Sequence, residues 1–104
     1  MLCAHTVRRL KPDAFEQFTK AFVPHDDQAP AGWTRFHLLR SLADPNEVVT
    51  FGFFDGTLDE LERSQHDDDF QSRRDTIDPL VETVIANGVY EIVTTLVRDK
   101  APSR

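Results

Sequence analysis

Trp33, Arg35 and His37 stand at alternate positions of the run WTRFHLLRSL over 33–42. Side chains alternate between the faces of a strand, so these three and Leu39 project together within about 14 Å. An indole plane, a guanidinium and an imidazole at that spacing suit a planar anionic aromatic molecule. Trp33 would stack on it, Arg35 would pair with a phenolate or carboxylate, and His37 would move a proton near neutral pH. The same residues also suit a plainer role, with Trp33 an interface or strand-edge anchor and Arg35 and His37 in subunit contacts. Phe51, in the apolar run EVVTFGFF over 47–54, would add a second wall. His66 could enter the same pocket from a break between helical segments, as a second proton carrier. Arg74 lies four residues beyond Phe70, hence on its helical face, and either closes on the anion or forms an interfacial ion pair. His5, flanked on its face by Cys3 and Val7, reads as a hydrogen-bonded core residue.

Other reaction machinery has no counterpart in the sequence. There is no G-x-S-x-G, no G-x-G-x-x-G and no P-loop, so neither a nucleophile elbow nor a nucleotide cofactor is expected. The runs His25-Asp26-Asp27 and His66-Asp67-Asp68 place their potential ligands on adjacent residues, which diverge, so no metal is expected. The net charge of −6 argues against a nucleic-acid partner, and no run of about 20 apolar residues argues for a membrane span. A lone cysteine, Cys3, and an N-terminus without a signal-peptide pattern point to a reducing cytoplasm.

The elements that must position these residues follow from periodicity and turn chemistry. Residues 2–9 read as a strand. Lys11-Pro12-Asp13 suits a helix start, and Phe15, Phe18 and Phe22 form an aromatic helical stripe that Pro24 ends. Residues 24–32 read as a loop. Residues 33–42 form a second strand, Ala43-Asp44-Pro45-Asn46 a turn, and Glu47–Phe54 a third strand, antiparallel to the second. Thr57 and Glu60 match a capping box that opens a helix carrying Leu58 and Leu61. A helical stripe then runs through Phe70, Arg74, Ile77, Val81, Val84 and Ile85, with a kink or fresh start at Asp78-Pro79 and a stop at Asn87-Gly88. Residues 89–98 are expected as the last strand, and 99–104 as a disordered tail.

The 104 residues suit a single domain spanning 1–98. The order of elements predicts an α+β, ferredoxin-like β-α-β-β-α-β fold with a four-stranded antiparallel sheet. The run EVVTFGFF is apolar on both faces, yet the chain has helices for only one. The bare face is therefore expected to bury against a second copy, giving a homodimeric α/β barrel.

With its hairpin WTRFHLLRSL and EVVTFGFF and the following stretch FGFFDGTLDELERSQHDDDF, the chain resembles the dimeric α/β-barrel superfamily. Within it, the chain is most similar to the antibiotic biosynthesis monooxygenase domain family, over about residues 2–98. The resemblance implies a pocket between helices and sheet in each subunit. Some members oxygenate polycyclic aromatic substrates without metal or flavin. Others degrade haem with an Asn on the first strand and a Trp and a His on the second helical segment, a pattern from which this chain departs. Its first strand has no Asn, its one Trp is on the second strand, and Arg74 stands where that His is expected.

The expected function is thus that of a cofactor-independent monooxygenase acting on a small phenolic or polycyclic molecule. A non-enzymatic ligand-binding or interaction module stands as the alternative, and an isomerase or decarboxylase of small acids as a third. An imidazole and a guanidinium pointing into a cavity would favour the enzyme; a space filled by the Phe15, Phe18 and Phe22 stripe would count against it.

Overall fold

Strand β3 (Glu47–Phe54) buries Val48, Thr50, Gly52 and Phe54, while Val49, Phe51 and Phe53 on its other face are only half-buried. The computed structural model describes residues 1–22 and 31–98. The chain forms β1 (Leu2–Leu10), α1 (Phe15–Phe22), β2 (Trp33–Arg40), β3, α2 (Leu58–Gln65), α3 (Asp68–Ile77), a single 3-10 turn (Asp78–Leu80) and β4 (Val81–Glu91). The sheet order is β2-β3-β1-β4 with every neighbouring pair antiparallel, the ferredoxin-like arrangement.

Local chemistry explains most of these elements. Thr57 accepts a hydrogen bond from the Glu60 backbone N–H while the Glu60 carboxylate accepts one from Thr57 N–H, completing the predicted capping box. Asp67 caps α3 by accepting from Asp69 N–H. The β2–β3 turn is held by Ser41 Oγ, which accepts from Ala43 and Asp44 N–H, and by an ion pair between Arg9 and Asp44.

Three details differ from the sequence expectation. Pro12 and Asp13 lie in a turn before α1, where Ala14 N–H reaches Lys11 O and Asp13 has φ +61°. Pro followed by a residue of positive φ suits a type II turn, so the helix starts later, at Phe15. The helical stripe ends at Ile77, and Val81, Val84 and Ile85 belong to β4. There β-branched residues find the free edge of β1, and pairing wins over helical spacing. Asn87 and Gly88 are consequently paired strand residues rather than a helix stop. Residues 93–98 leave the sheet, with Val93, Leu96 and Val97 exposed by 86%, 86% and 84%. The expected helix end at Pro24, the His25-Asp26-Asp27 run and the tail 99–104 lie outside the described residues.

The helix-facing core forms two clusters. Leu10, Ala14, Phe18, Val48 and Ile77 make one; Trp33, Phe54 and Leu61 make the other. On the opposite face a row of rings crosses the sheet. Tyr90 meets His5 edge-on at 5.9 Å, His5 stacks on Phe51 at 6.4 Å, and Phe51 stacks on His37 at 4.7 Å. No helix among the described residues is long and apolar enough to cross a membrane.

Candidate functional site

Between the two core clusters, under the helices, lies a cavity of about 200 Å³. Aromatic walls come from Trp33 and Phe36 on β2, Phe22 on α1 and Phe70 on α3; Ile77 completes the apolar part. Phe18 stacks on Phe22 at 5.9 Å and packs beneath it in the first cluster. Of the Phe15, Phe18 and Phe22 stripe, only Phe22 lines the space; Phe18 belongs to the packed core and Phe15 packs against it, so the stripe does not fill the cavity. The polar lining consists of Thr6 and Arg8 on β1, Thr50 on β3, Asn87 on β4, Gln65 on α2, Arg73 and Arg74 on α3, and Asp78 in the 3-10 turn.

The position of Trp33 depends on an irregularity in β2. Trp33 pairs with Phe54 but Arg35 pairs with Phe53, so Thr34 is an extra residue, a β-bulge. The bulge turns Trp33 onto the helix side, where it lies 5.3 Å from Phe36, 5.1 Å from Phe54 and 6.1 Å from Phe70. Its Nε1–H donates to Ser64 Oγ at 2.7 Å, which fixes the indole. Gly52 makes room for it, since a Cβ there would sit 2.8 Å from the indole and 3.0 Å from the Phe36 ring.

Arg8 brings a charge into this space because it falls on the inward face of β1, opposite Val48. Its Nη1 donates to Thr50 Oγ1 at 2.7 Å and its guanidinium lies 5.7 Å from the Phe18 ring centre. Burial pulls its pKa below the usual arginine value, the Arg74 charge pulls the same way, and Asp78 opposes both. Among the described residues the cavity thus holds Arg8, Arg73 and Arg74 against one lining carboxylate, in a chain of net charge −6. Thr6 Oγ1 donates to Asn87 Oδ1 at 3.1 Å across the floor. No three His, Cys, Asp or Glu side chains come together as a metal site among the described residues.

Of the residues singled out from sequence, Trp33 and Arg74 line the cavity. Phe51 reaches it along the backbone, because its ring stacks on His37 across the other face. Arg35 and His37 also lie on that other face, so the shared face expected for Trp33, Arg35 and His37 does not form; the Thr34 bulge separates the first from the other two. His66 is exposed at the end of α2, its backbone N–H bonded to Arg63 O, and does not line the cavity. His5 sits in the ring row on the open face, between Phe51 and Tyr90. Sequence reasoning missed Arg8, Phe36, Phe70 and Arg73 as lining residues. Strand alternation carried the cue for Arg8: it follows Ala4 and Thr6 on a face that must be covered.

No family model matches the sequence, and no curated protein matches it. Solved structures do. A candidate antibiotic biosynthesis monooxygenase from Nitrosomonas europaea superimposes with a TM-score of 0.74 at 21% identity, covering 90% of this chain and 100% of that one. SnoaB, a cofactor-independent oxygenase from Streptomyces nogalater, gives a TM-score of 0.70 at 20% identity, covering 93% and 98%. A candidate antibiotic biosynthesis monooxygenase from Chloroflexus aurantiacus gives 0.77 at 14%, covering 92% and 96%. Over nearly its whole described length, then, this chain has the ferredoxin-like α+β fold of the antibiotic biosynthesis monooxygenase domain proteins.

Proposed function

We propose that the chain is a cofactor-independent, monooxygenase-like enzyme acting on a small aromatic phenol. The observation that carries this reading is the cavity itself, with aromatic walls at Trp33, Phe36 and Phe70 and three guanidiniums around it. The shared fold with a cofactor-independent oxygenase adds to it. In such chemistry the substrate supplies the electrons. Loss of a phenolic proton leaves an anion whose ring carbon reduces dioxygen; a carbon–oxygen bond forms, and loss of water leaves a carbonyl. One oxygen atom stays in the product and the other departs as water.

The arginines are suited to favour the anion, since opposite charge nearby lowers the pKa of a bound phenol. Asp78 is the one carboxylate of the lining among the described residues and the proton acceptor of this reading. We assign no proton transfer to His37 or His66. Trp33 stacks on the ring, and the walls keep the reduced oxygen species from water.

The reading includes a homodimer formed through the open sheet face. Phe51 and Phe53 are half-buried there, and Leu39 and Tyr90 are exposed by 48% and 55%. A contiguous apolar surface of this kind rarely stays open to water, and about 800 Å² per partner is an ordinary dimer interface. The lone thiol of Cys3 is compatible with a reducing, cytoplasmic setting.

Oxygen uptake with a panel of hydroquinones and phenols tests the enzyme, with one labelled atom from ¹⁸O₂ expected in the organic product. The Arg8→Gln variant should lose most of that uptake. Equal uptake by both proteins ends the oxygenase reading. Among the described residues no imidazole lines the cavity, which favours the second reading, a binding module without turnover; saturable ligand binding with no uptake would select it.

A further inference from the structure

We propose that the ligand is a single-ring aromatic carboxylate whose carboxylate is held by Arg8, with its ring against Trp33. The proposal rests on the reading of the cavity as a site for small aromatic molecules and names the class of molecule.

The first observation is an unbalanced charge. Arg8 is half-buried and faces the cavity, yet its one side-chain hydrogen bond among the described residues is to the neutral Thr50 hydroxyl. The one salt bridge among those residues, Arg9–Asp44, lies elsewhere. A guanidinium withdrawn from water without a paired anion is costly, and a planar fork of donors matches a carboxylate in two hydrogen bonds. The Arg74 charge acts on Arg8 unfavourably and Asp78 offsets this only through space, with no salt bridge to Arg8, so an anion bonded directly to Arg8 also relieves a like-charge repulsion.

The second observation is size and spacing. An apolar cavity of about 150 Å³ holds one benzene ring. The space here, about 200 Å³, leaves room for that ring and a small polar group. Arg8 meets Thr50, which pairs with Thr6, while the Trp33 indole lies over Gly52, which pairs with Ala4. Those two rows are one same-face step apart, about 7 Å. One ring with its carboxylate spans that distance, and the volume leaves little room for a second fused ring.

Trp33 is the chain's one tryptophan, so its fluorescence reports occupancy of this cavity. The test is titration of the full-length protein, by calorimetry and Trp33 fluorescence, with 4-hydroxybenzoate, its methyl ester and 6-hydroxy-2-naphthoate. The acid should bind about 10- to 100-fold more tightly than the ester, the range expected for a charge-assisted contact, and the naphthoate more weakly than the benzoate. Arg8→Gln should weaken the acid by a similar factor and leave the ester unchanged; Arg8→Lys should fall between. Equal affinities for acid and ester in the unmodified protein overturn the proposal, and that comparison requires no variant to fold. A naphthoate that binds as tightly as the benzoate overturns the size limit. Discrimination between acid and ester without oxygen uptake upholds the proposal and sinks only turnover. Failure of every aromatic to bind sinks the aromatic site itself.

Discussion

Gly52→Ala is the sharpest test of how the cavity is built. In an open strand, replacing glycine by alanine is stabilising by roughly 0.5–1 kcal/mol, because glycine loses more freedom on folding. At Gly52 the new methyl would lie 2.8 Å from the Trp33 indole and 3.0 Å from the Phe36 ring. Neither ring retreats easily. Trp33 is tied to Ser64 and backed by Phe54 and Phe70, and Phe36 meets Phe22 edge-on at 6.4 Å. Overpacking of this kind costs about 1–3 kcal/mol, so the net effect should be a loss of roughly 0.5–2 kcal/mol. For a domain of about 100 residues that lowers Tm by roughly 2–15 °C in a circular-dichroism melt. Combining it with Trp33→Phe, which shortens the obstructing ring, should recover part of the loss as a coupling of about 0.5 kcal/mol or more. A higher Tm for Gly52→Ala alone would refute the close approach of Trp33 to the sheet, and with it the wall of the site.

Other outcomes follow from the same geometry. Phe18 is fully buried, so Phe18→Ala should cost about 3–5 kcal/mol, seen as a large fall in the urea midpoint. Thr57→Ala removes one half of the capping box and should cost about 1 kcal/mol in the same assay. The Asn46 backbone N–H, then Arg9, holds the Asp44 carboxyl below the usual range, and the Thr57 backbone and then its hydroxyl do the same for Glu60. A carboxyl more acidic folded than unfolded contributes stability that is complete above the unfolded pKa and drains as pH falls through the folded one. Asp44→Asn and Glu60→Gln should therefore flatten the decline in stability below about pH 5. Light scattering should give twice 11.9 kDa for the unmodified chain, and Phe53→Asp should return the single mass; a monomer at micromolar concentration without any substitution would refute the sheet-face dimer.

The sequence by itself determined the elements whose cause is local. EVVTFGFF forms the strand Glu47–Phe54 because nothing in it favours helix and its apolar residues occupy both faces. Thr57 and Glu60 start α2 through hydrogen bonds within one turn. The order of elements was enough for the ferredoxin-like topology. Tertiary structure decided where pairing competes with periodicity. Val81, Val84 and Ile85 fit a helical stripe and a strand alike, and the free edge of β1 chose the strand. The site depended on the least local event of all, the extra residue at Thr34. An alternating pattern says which side chains share a face only while register is kept, and a bulge is a property of two strands together. That one slip carried Trp33 into the cavity that Arg8 lines and left His37 on the far side of the sheet.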